Sequence, residues 1–466
     1  MMRTVFDAKG AVVLTAAMIP GMAMAGGFSL NEQSASAMGT ANAGAAANPQ
    51  NASTVIFNPA GMTQLSGTNL SFGAAVLDID AEADSASATN QLGQPVQGSN
   101  GGDIADPAYL PSAFLTHEMS ENVAVGVGLH APYGLAADYD DDFTGRYFAD
   151  ETELTGIALT PSIAVDSGNG LSLGVGVNIM YLDGKLSKFA DTSGALAKLE
   201  QKGAINAQQS QQLAAAPTYS NVEGDTIEYT LRIGALYELS ERTQFGLTVE
   251  TGTGSSLEGD ITISDFPTQN GLTTLKEEAE VPLDIPPSVT FGARHQLNDD
   301  VTLLFGATWA RWSDFEELDI YSGEGGTGEV SSALRAQGQV GNPITHITEK
   351  WQDTWQYNLG ASWQADPQWK LRAGYAWDES PVDSYTTARI PSQDRHWLTL
   401  GAQFAPANTD WTVDAAVGTL IFDGDAKVNE REYTHAQPTT PQGNASYTGS
   451  YDLSAWSASV ELSRSF

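Results

Sequence analysis

LSLGVGVNIMYL, residues 171–182, decides the fold. Leu171, Leu173, Val175, Val177, Ile179 and Tyr181 form one row, and Ser172, Gly174, Gly176 and Asn178 alternate with them as small or polar partners. Successive side chains of an extended chain point to opposite faces, so this stretch is a strand with one apolar and one polar face. A soluble sandwich gives the same pattern, because its inner face is also apolar. The rest of the chain has to choose.

Outward from that stretch, the same unit recurs from Thr68 to the end of the chain. Fourteen such strands are predicted: Thr68–Ile79, Leu110–Glu118, Asn122–Ala131, Glu153–Val165, Gly170–Leu182, Thr226–Leu239, Gln244–Thr253, Leu283–Gln296, Val301–Trp312, Thr354–Gln364, Gln368–Trp377, Arg395–Ala405, Asp410–Phe422 and Leu453–Phe466. Their connections alternate strictly between long and short. Met119–Glu121, Asp166–Asn169, Ser240–Thr243, Asn298–Asp300, Ala365–Pro367 and Pro406–Thr409 are turns, whereas 313–353, 378–394 and 423–452 are long excursions. An up-and-down barrel with short periplasmic turns and long outer loops predicts this alternation, and a Greek-key sandwich does not. The expected fold is all-β, a 14-stranded antiparallel transmembrane β-barrel with both ends on the periplasmic side. All ten tryptophans fall in or near these strands, where an interfacial girdle is expected.

Composition agrees. Arg3 and Lys9, the apolar run Ala11–Ile19 and the exit Ala23-Met24-Ala25 form a secretory signal peptide over residues 1–25. Beyond it no window is apolar enough for a membrane helix, so an exported soluble protein or a barrel remains. Cysteine is absent, which suits a large closed sheet better than a small secreted scaffold. Without the signal peptide the chain carries 19 basic against 56 acidic residues, a balance that excludes nucleic acid as a partner.

Residues 26–62, GGFSLNEQSASAMGTANAGAAANPQNASTVIFNPAGM, precede the first strand and hold one ionised side chain, Glu32. Such a segment is too polar for a core and too sparsely charged for a solvated tail. It reads as a hatch inside the barrel, with residues 26–67 as the hatch and 68–466 as the barrel. Its glycines are the expected moving part, and Asn58-Pro59-Ala60 its rigid end. The chain closes on Phe466, an aromatic carboxy terminus like the one by which outer-membrane barrels reach their assembly machinery; Arg464 is the awkward residue of that last row.

The opening GGFSLNEQSASAMG, FNPAGM at 57–62, APYGLA at 131–136, WSDFEEL at 312–318 and WDESPVDSYTTARIPSQDRHWLTLG at 377–401, in this order, resemble the long-chain fatty-acid transporter family of the bacterial outer membrane, which also includes aromatic-hydrocarbon channels. The resemblance implies a hatch marked by Phe28, Asn31, Glu32, Asn58, Pro59 and Ala60. It implies passive uptake through an outer groove, a lumen pocket and a lateral opening where the third strand kinks, at Pro132, Tyr133 and Gly134. Proline removes a ladder donor and glycine weakens a strand, so the local chemistry agrees; a plain strand end entering a loop is the other reading. In the loop 185–225, Leu196, Leu199, Ile205 and Leu213 offer an apolar face, either to a lipid-like ligand or to the barrel rim. Lys188 matches one of the family's head-group bases, while Asp319 stands where the family has the second.

The expected ligands are hydrophobic small molecules, most simply long-chain fatty acids, with aromatic hydrocarbons or alkanes as the alternative. A general porin or a barrel hydrolase fits less well. No G-x-S-x-G is present, and His117, His130, His295, His346, His396 and His435 are scattered, so no catalytic residue, metal or cofactor is expected. The acidic loops face outer-membrane lipid and lipopolysaccharide, and the expected state is a monomer.

Overall fold

The computed structural model describes residues 26–383, 385–435 and 439–466. The expected signal peptide, residues 1–25, lies outside the described residues. Fourteen strands form the wall: β1 (Thr68–Thr89), β2 (Ala108–Ser120), β3 (Val123–Asp138), β4 (Glu151–Asp166), β5 (Leu171–Phe189), β6 (Tyr219–Ser240), β7 (Thr243–Glu250), β8 (Ser288–Gln296), β9 (Val301–Ala310), β10 (Thr354–Gln364), β11 (Trp369–Asp378), β12 (Arg395–Phe404), β13 (Trp411–Phe422) and β14 (Pro441–Ser465). Each pairs antiparallel with its sequence neighbour, and β1 closes on β14 from Asn69↔Ser465 to Thr89↔Ser446. Closure pairs the backbone that lipid cannot hydrogen-bond.

The alternation of β5 is realised as read: Leu173, Val175 and Tyr181 face outward, while Ser172 and Asn178 are buried in the lumen. Trp355, Trp363, Trp369 and Trp456 belong to the outer face, and Tyr357 stacks between Trp355 and Trp377 at ring distances of 5.7 and 6.0 Å. Trp312, Trp351 and Trp397 depart from the girdle expectation, being buried inside. Arg464 proves less awkward than its row suggests, since its guanidinium lies over the rings of Trp411 and Phe466, at 5.3 and 4.3 Å.

Several strands run past their expected ends. β1 extends to Thr89 and β14 begins at Pro441, so their ladder continues beyond the wall. The upper part of β6 leaves β7 and pairs instead with a hairpin of Ser255–Thr268 and Gly271–Leu283, which the sequence reading treated mostly as loop. Pro286 and Pro287 separate that hairpin from β8, so the expected strand Leu283–Gln296 begins only at Ser288.

Residues 26–64 fill the lumen as short helical turns, Ala35–Met38, Ala45–Ala47, Thr54–Phe57 and Pro59–Gln64. Asn58 accepts a hydrogen bond from Ala60 N and donates to Ala46 O and, across to the wall, to Ala235 O at 3.0 Å. Gln244 donates to Ala47 O, Asn358 to Ala41 O and Thr248 to Phe57 O. Inward-facing glycines let the hatch backbone lie directly on the wall. A methyl group at Gly174, Gly234, Gly246 or Gly374 would overlap Ala60, Asn58, Ala46 or Thr40 respectively. These glycines sit opposite one another across the ladders, as Gly174↔Gly234, Gly246↔Gly292 and Gly360↔Gly374. They form a seat matched to a chain with almost no charge.

Filling that seat is expected to be costly. Gly246→Val should destabilise the protein by about 1–3 kcal/mol, read as a lower temperature for loss of the heat-modifiable band, whereas Val249→Ala, on the outer face of the same strand, should move it far less.

Candidate functional site

The wall is interrupted at one place. The β2–β3 ladder runs from Ser120↔Val123 to Ala113↔Leu129 and stops, so among the described residues Ala108–Ser112 have a ladder partner only on the β1 side. On the other side of β3, the register with β4 jumps between His130↔Ala158 and Tyr133↔Gly156. Ala131 and Pro132 thus stand opposite the single residue Ile157, a β-bulge in which Pro132 supplies no N–H. The strand does not end there, since pairing resumes to Asp138↔Glu151. This answers the reading as a plain strand end: β3 bends and continues.

The hatch supplies what the bend leaves unpaired. Ser29 bridges Tyr133, Leu30 N donates to Pro132 O at 2.9 Å, and Gly134 N donates to Phe28 O at 3.0 Å. Gln33 adds a bond to Ala131 O at 2.6 Å. Glu32 and Asn31 follow, with Asn31 N donating to Glu32 Oε2. Gly26 and Gly27 adopt left-handed conformations, φ 66° and 68°, and Gly27 lies so close to the Trp312 indole that a side chain would collide with it. Gly39 and Gly61 are likewise wedged against neighbouring atoms.

Phe28 is 1 % exposed and ringed by Trp312, Tyr133, Phe315 and Trp351, with centroids at 4.6, 5.8, 6.0 and 6.0 Å. It also contributes to an apolar cavity lined by Leu135, Leu154, Val222, Leu257, Val281 and Leu318. Tyr133 and Trp312, on its other side, line a second, more polar cavity that includes His130, Pro132, Arg232 and Glu250 and so reaches the kink. The Phe28 cluster therefore stands between an apolar chamber and the gap in the wall.

The expected ligand residues are distributed differently. Lys188 pairs with Glu432 at 3.4 Å and does not line the apolar cavity. Asp319 is buried against His346 Nδ1 at 2.6 Å. Leu196 and Ile205 are buried in the helical loop of Ser193–Gln201 and Ala207–Ala214, and Leu199 and Leu213 are half-buried; none of the four lines either cavity. The guanidinium at the apolar cavity belongs to Arg389, which the sequence reading did not single out. It is 2 % exposed and donates to Thr152 Oγ1 and Ser187 O, both at 2.9 Å. No carboxylate among the described residues is within ion-pair distance of it. The available signal was a lone arginine between Ala388 and Ile390 in a quoted landmark.

Two buried acids flank Arg389 from the outer loops. Glu430 accepts from Ala388 N at 2.8 Å, and Glu349 from Trp351 Nε1 at 3.2 Å. Burial, reinforced by the charge of Glu430, pushes Glu349 up to about 8, and burial pushes Glu430 up to about 7.

A closed, plugged β-barrel with a breach in its wall defines a class, the transport barrels of the bacterial outer membrane. The chain belongs to the outer membrane protein transport protein family (OMPP1/FadL/TodX), whose family model matches residues 16–466. It is 27 % identical to the long-chain fatty acid transport protein of Escherichia coli K12 over 92 % of this chain and 95 % of that one. It is 30 % identical to a 47 kDa outer membrane protein of Pasteurella multocida, covering 83 % and 86 %. Among solved structures, a Pseudomonas aeruginosa FadL homologue superposes with a TM-score of 0.79 at 23 % identity, covering 94 % of this chain and 99 % of that one. The Pseudomonas putida toluene transporter TodX superposes at 0.64 and 16 %, covering 94 % and 99 %. The family is one of outer-membrane transport proteins for hydrophobic compounds.

The raised carboxyls make the outer loops pH-sensitive. In an open loop Glu349 and Glu430 ionise near 4.5, so their contribution to the closed packing is complete below that pH and is lost as pH rises through 7 and 8. Hydrogen exchange, corrected for its intrinsic rate, should show residues 345–351 better protected at about pH 6 than at about pH 8.5, and Glu349→Gln should shrink that difference; equal protection of the unaltered protein at both would contradict the assignment.

Proposed function

We propose that this barrel carries long-chain fatty acids passively from the outer face to the wall opening between β2 and β3. One observation carries the reading: an apolar chamber holding a buried guanidinium that makes no ion-pair contact among the described residues lies across the rings around Phe28 from the kink in the wall. The acyl chain lies among Leu135, Leu154, Val222 and Leu257, gaining about 0.8 kcal/mol for each methylene removed from water. The carboxylate pairs with Arg389, which offers planar, always-charged donors of the right geometry. Phe28 then withdraws with the first residues of the hatch, releasing Pro132 O and Gly134 N and opening the way to the gap. Capture at the surface falls to the half-buried Leu199 and Leu213 of the helical loop. The residues assigned to transport bind and guide; none is assigned a bond-making role.

A second reading has its own observation. With Asp319 where a base was expected and Lys188 already paired, a single cation is left for the head group, which suits an uncharged ligand such as an aromatic hydrocarbon.

Binding to purified barrel separates the two. Arg389→Met should weaken oleate binding by about 10- to 100-fold, the loss of a buried charge-assisted interaction of about 1.5–3 kcal/mol, and leave toluene binding unchanged. Equal affinity for oleate in both proteins would move the head group elsewhere. Removing Pro132–Gly134 to straighten β3 should abolish oleate uptake by cells while binding persists; undiminished uptake would rule out the lateral route.

A further inference from the structure

Glu317, Asp319, His346 and His435 belong to two outer loops and take no part in the path above. Residues 316–322 and 344–349 run antiparallel, with bridges Glu317↔Thr348 and Ile320↔Thr345 and with Leu318 N donating to Ile347 O. This register puts Asp319 opposite His346. Extended backbone alternates its faces, so Leu318, Ile320 and Ile347 are buried on one side while Glu317, Asp319, His346 and Thr348 share the other.

His346 is held by both nitrogens. Nε2 meets Thr348 Oγ1 at 2.8 Å, and Nδ1 faces two carboxylates, Asp319 Oδ1 at 2.6 Å and Glu317 Oε2 at 3.9 Å. Without an ion, Nδ1–H donates to Asp319; in the tautomer whose proton sits on Nε2 and is donated to the Thr348 hydroxyl, the Nδ1 lone pair is directed between the two carboxylates, the outer-shell arrangement that sets a metal-binding imidazole. One ligand atom from each of the three residues lies within 4.8 Å of the other two. A tetrahedral ion with bonds of about 2.0–2.1 Å spaces its ligands by roughly 3.3 Å, and the two Nδ1–oxygen distances fall on either side of that. His435, from the loop between β13 and β14, brings a second imidazole, exposed and with its ring centre 6.4 Å from that of His346.

We propose that these four residues bind a divalent transition-metal ion of the zinc class, with Thr348 orienting His346. The donor set selects the ion: two imidazoles with two carboxylates suit Zn²⁺, whereas Ca²⁺ and Mg²⁺ take oxygen ligands. Asp319 and the His346 side chain are buried, so the central pair is preorganised, while Glu317 and His435 are open to solvent and give the ion access. The bound ion joins the loop after β9 to the loop after β13. This site is independent of the fatty-acid reading.

The test uses untagged, chelator-stripped protein in detergent, titrated with Zn²⁺ by calorimetry and with Co²⁺ by its visible absorption. One equivalent of Zn²⁺ should bind, with affinity falling at least tenfold in His346→Ala, in Asp319→Asn and in His435→Ala; the last change, on an exposed side chain, leaves the fold unaffected. Retention of the heat-modifiable band checks the other two. Zn²⁺ affinity that is unchanged in His346→Ala or in His435→Ala, or Ca²⁺ binding as tight as Zn²⁺, would overturn the proposal and leave His346–Asp319 as an ion pair only.

Discussion

Hydrocarbon offers no hydrogen bonds, and this single fact organises the molecule. Every wall strand has to find two neighbours, which is why β1 returns to β14 and why apolar and small side chains alternate around the whole circuit. Where β3 bulges at Pro132, the requirement is met from an unusual direction, because Phe28 and Leu30 of the hatch lend their backbone to Gly134 and Pro132. The opening in the wall and the plug in the lumen are therefore one structural device. A bend of this depth would leave bare peptide groups facing a greasy route, at a cost of roughly 1–3 kcal/mol for each buried group, were the hatch not there to cover it.

The hatch itself is held in two distinct manners. From Ala35 onward it lies on the glycine pairs of β5 to β11, tied by Asn58, Gln244, Asn358 and Thr248. Ahead of Ala35 it is tied by the bonds to the bent part of β3, by the ring cluster of Phe28, by Gly26 N donating to Glu379 O, and by Ser34 donating to Glu461 of β14. Large and small residues divide the work: glycines of the wall make room for backbone, and the aromatics Trp312, Tyr133, Phe315 and Trp351 make room for a single phenyl ring. The two parts of the plug therefore meet the wall through different chemistry, backbone on glycine from Ala35 onward and rings with bent-strand peptide groups ahead of it.

How much of this the sequence disclosed follows from the range of the forces involved. Strand alternation is local, so the fourteen strands and their short turns were readable, as was the odd composition of residues 26–62. The bend at Pro132-Tyr133-Gly134 was suggested by the family resemblance, and a proline beside a glycine in an alternating run agreed with it. The additional hairpin at 255–283 was not, since its alternation is diluted by acidic residues and it pairs with the upper end of β6, a non-local choice. Arg389 was hidden because its significance depends on Thr152 and Ser187, more than two hundred residues away. His346 and His435 looked scattered for the same reason: two loops must fold over one another before their rings meet.

The firm seating of residues 35–64 has a consequence for the cell that carries such a barrel. An outer membrane protects by excluding water-soluble toxins, and a fourteen-stranded cylinder with an empty bore would be a hole in that defence. Here the glycine-fitted body of the plug lies against the wall, while the leading residues 26–34 meet it through the bent part of β3 and the rings around Phe28. Under the proposed route, passage for greasy molecules and closure to hydrophilic ones coexist, because the stretch assigned to yield and the stretch seated on the glycines are different parts of one chain.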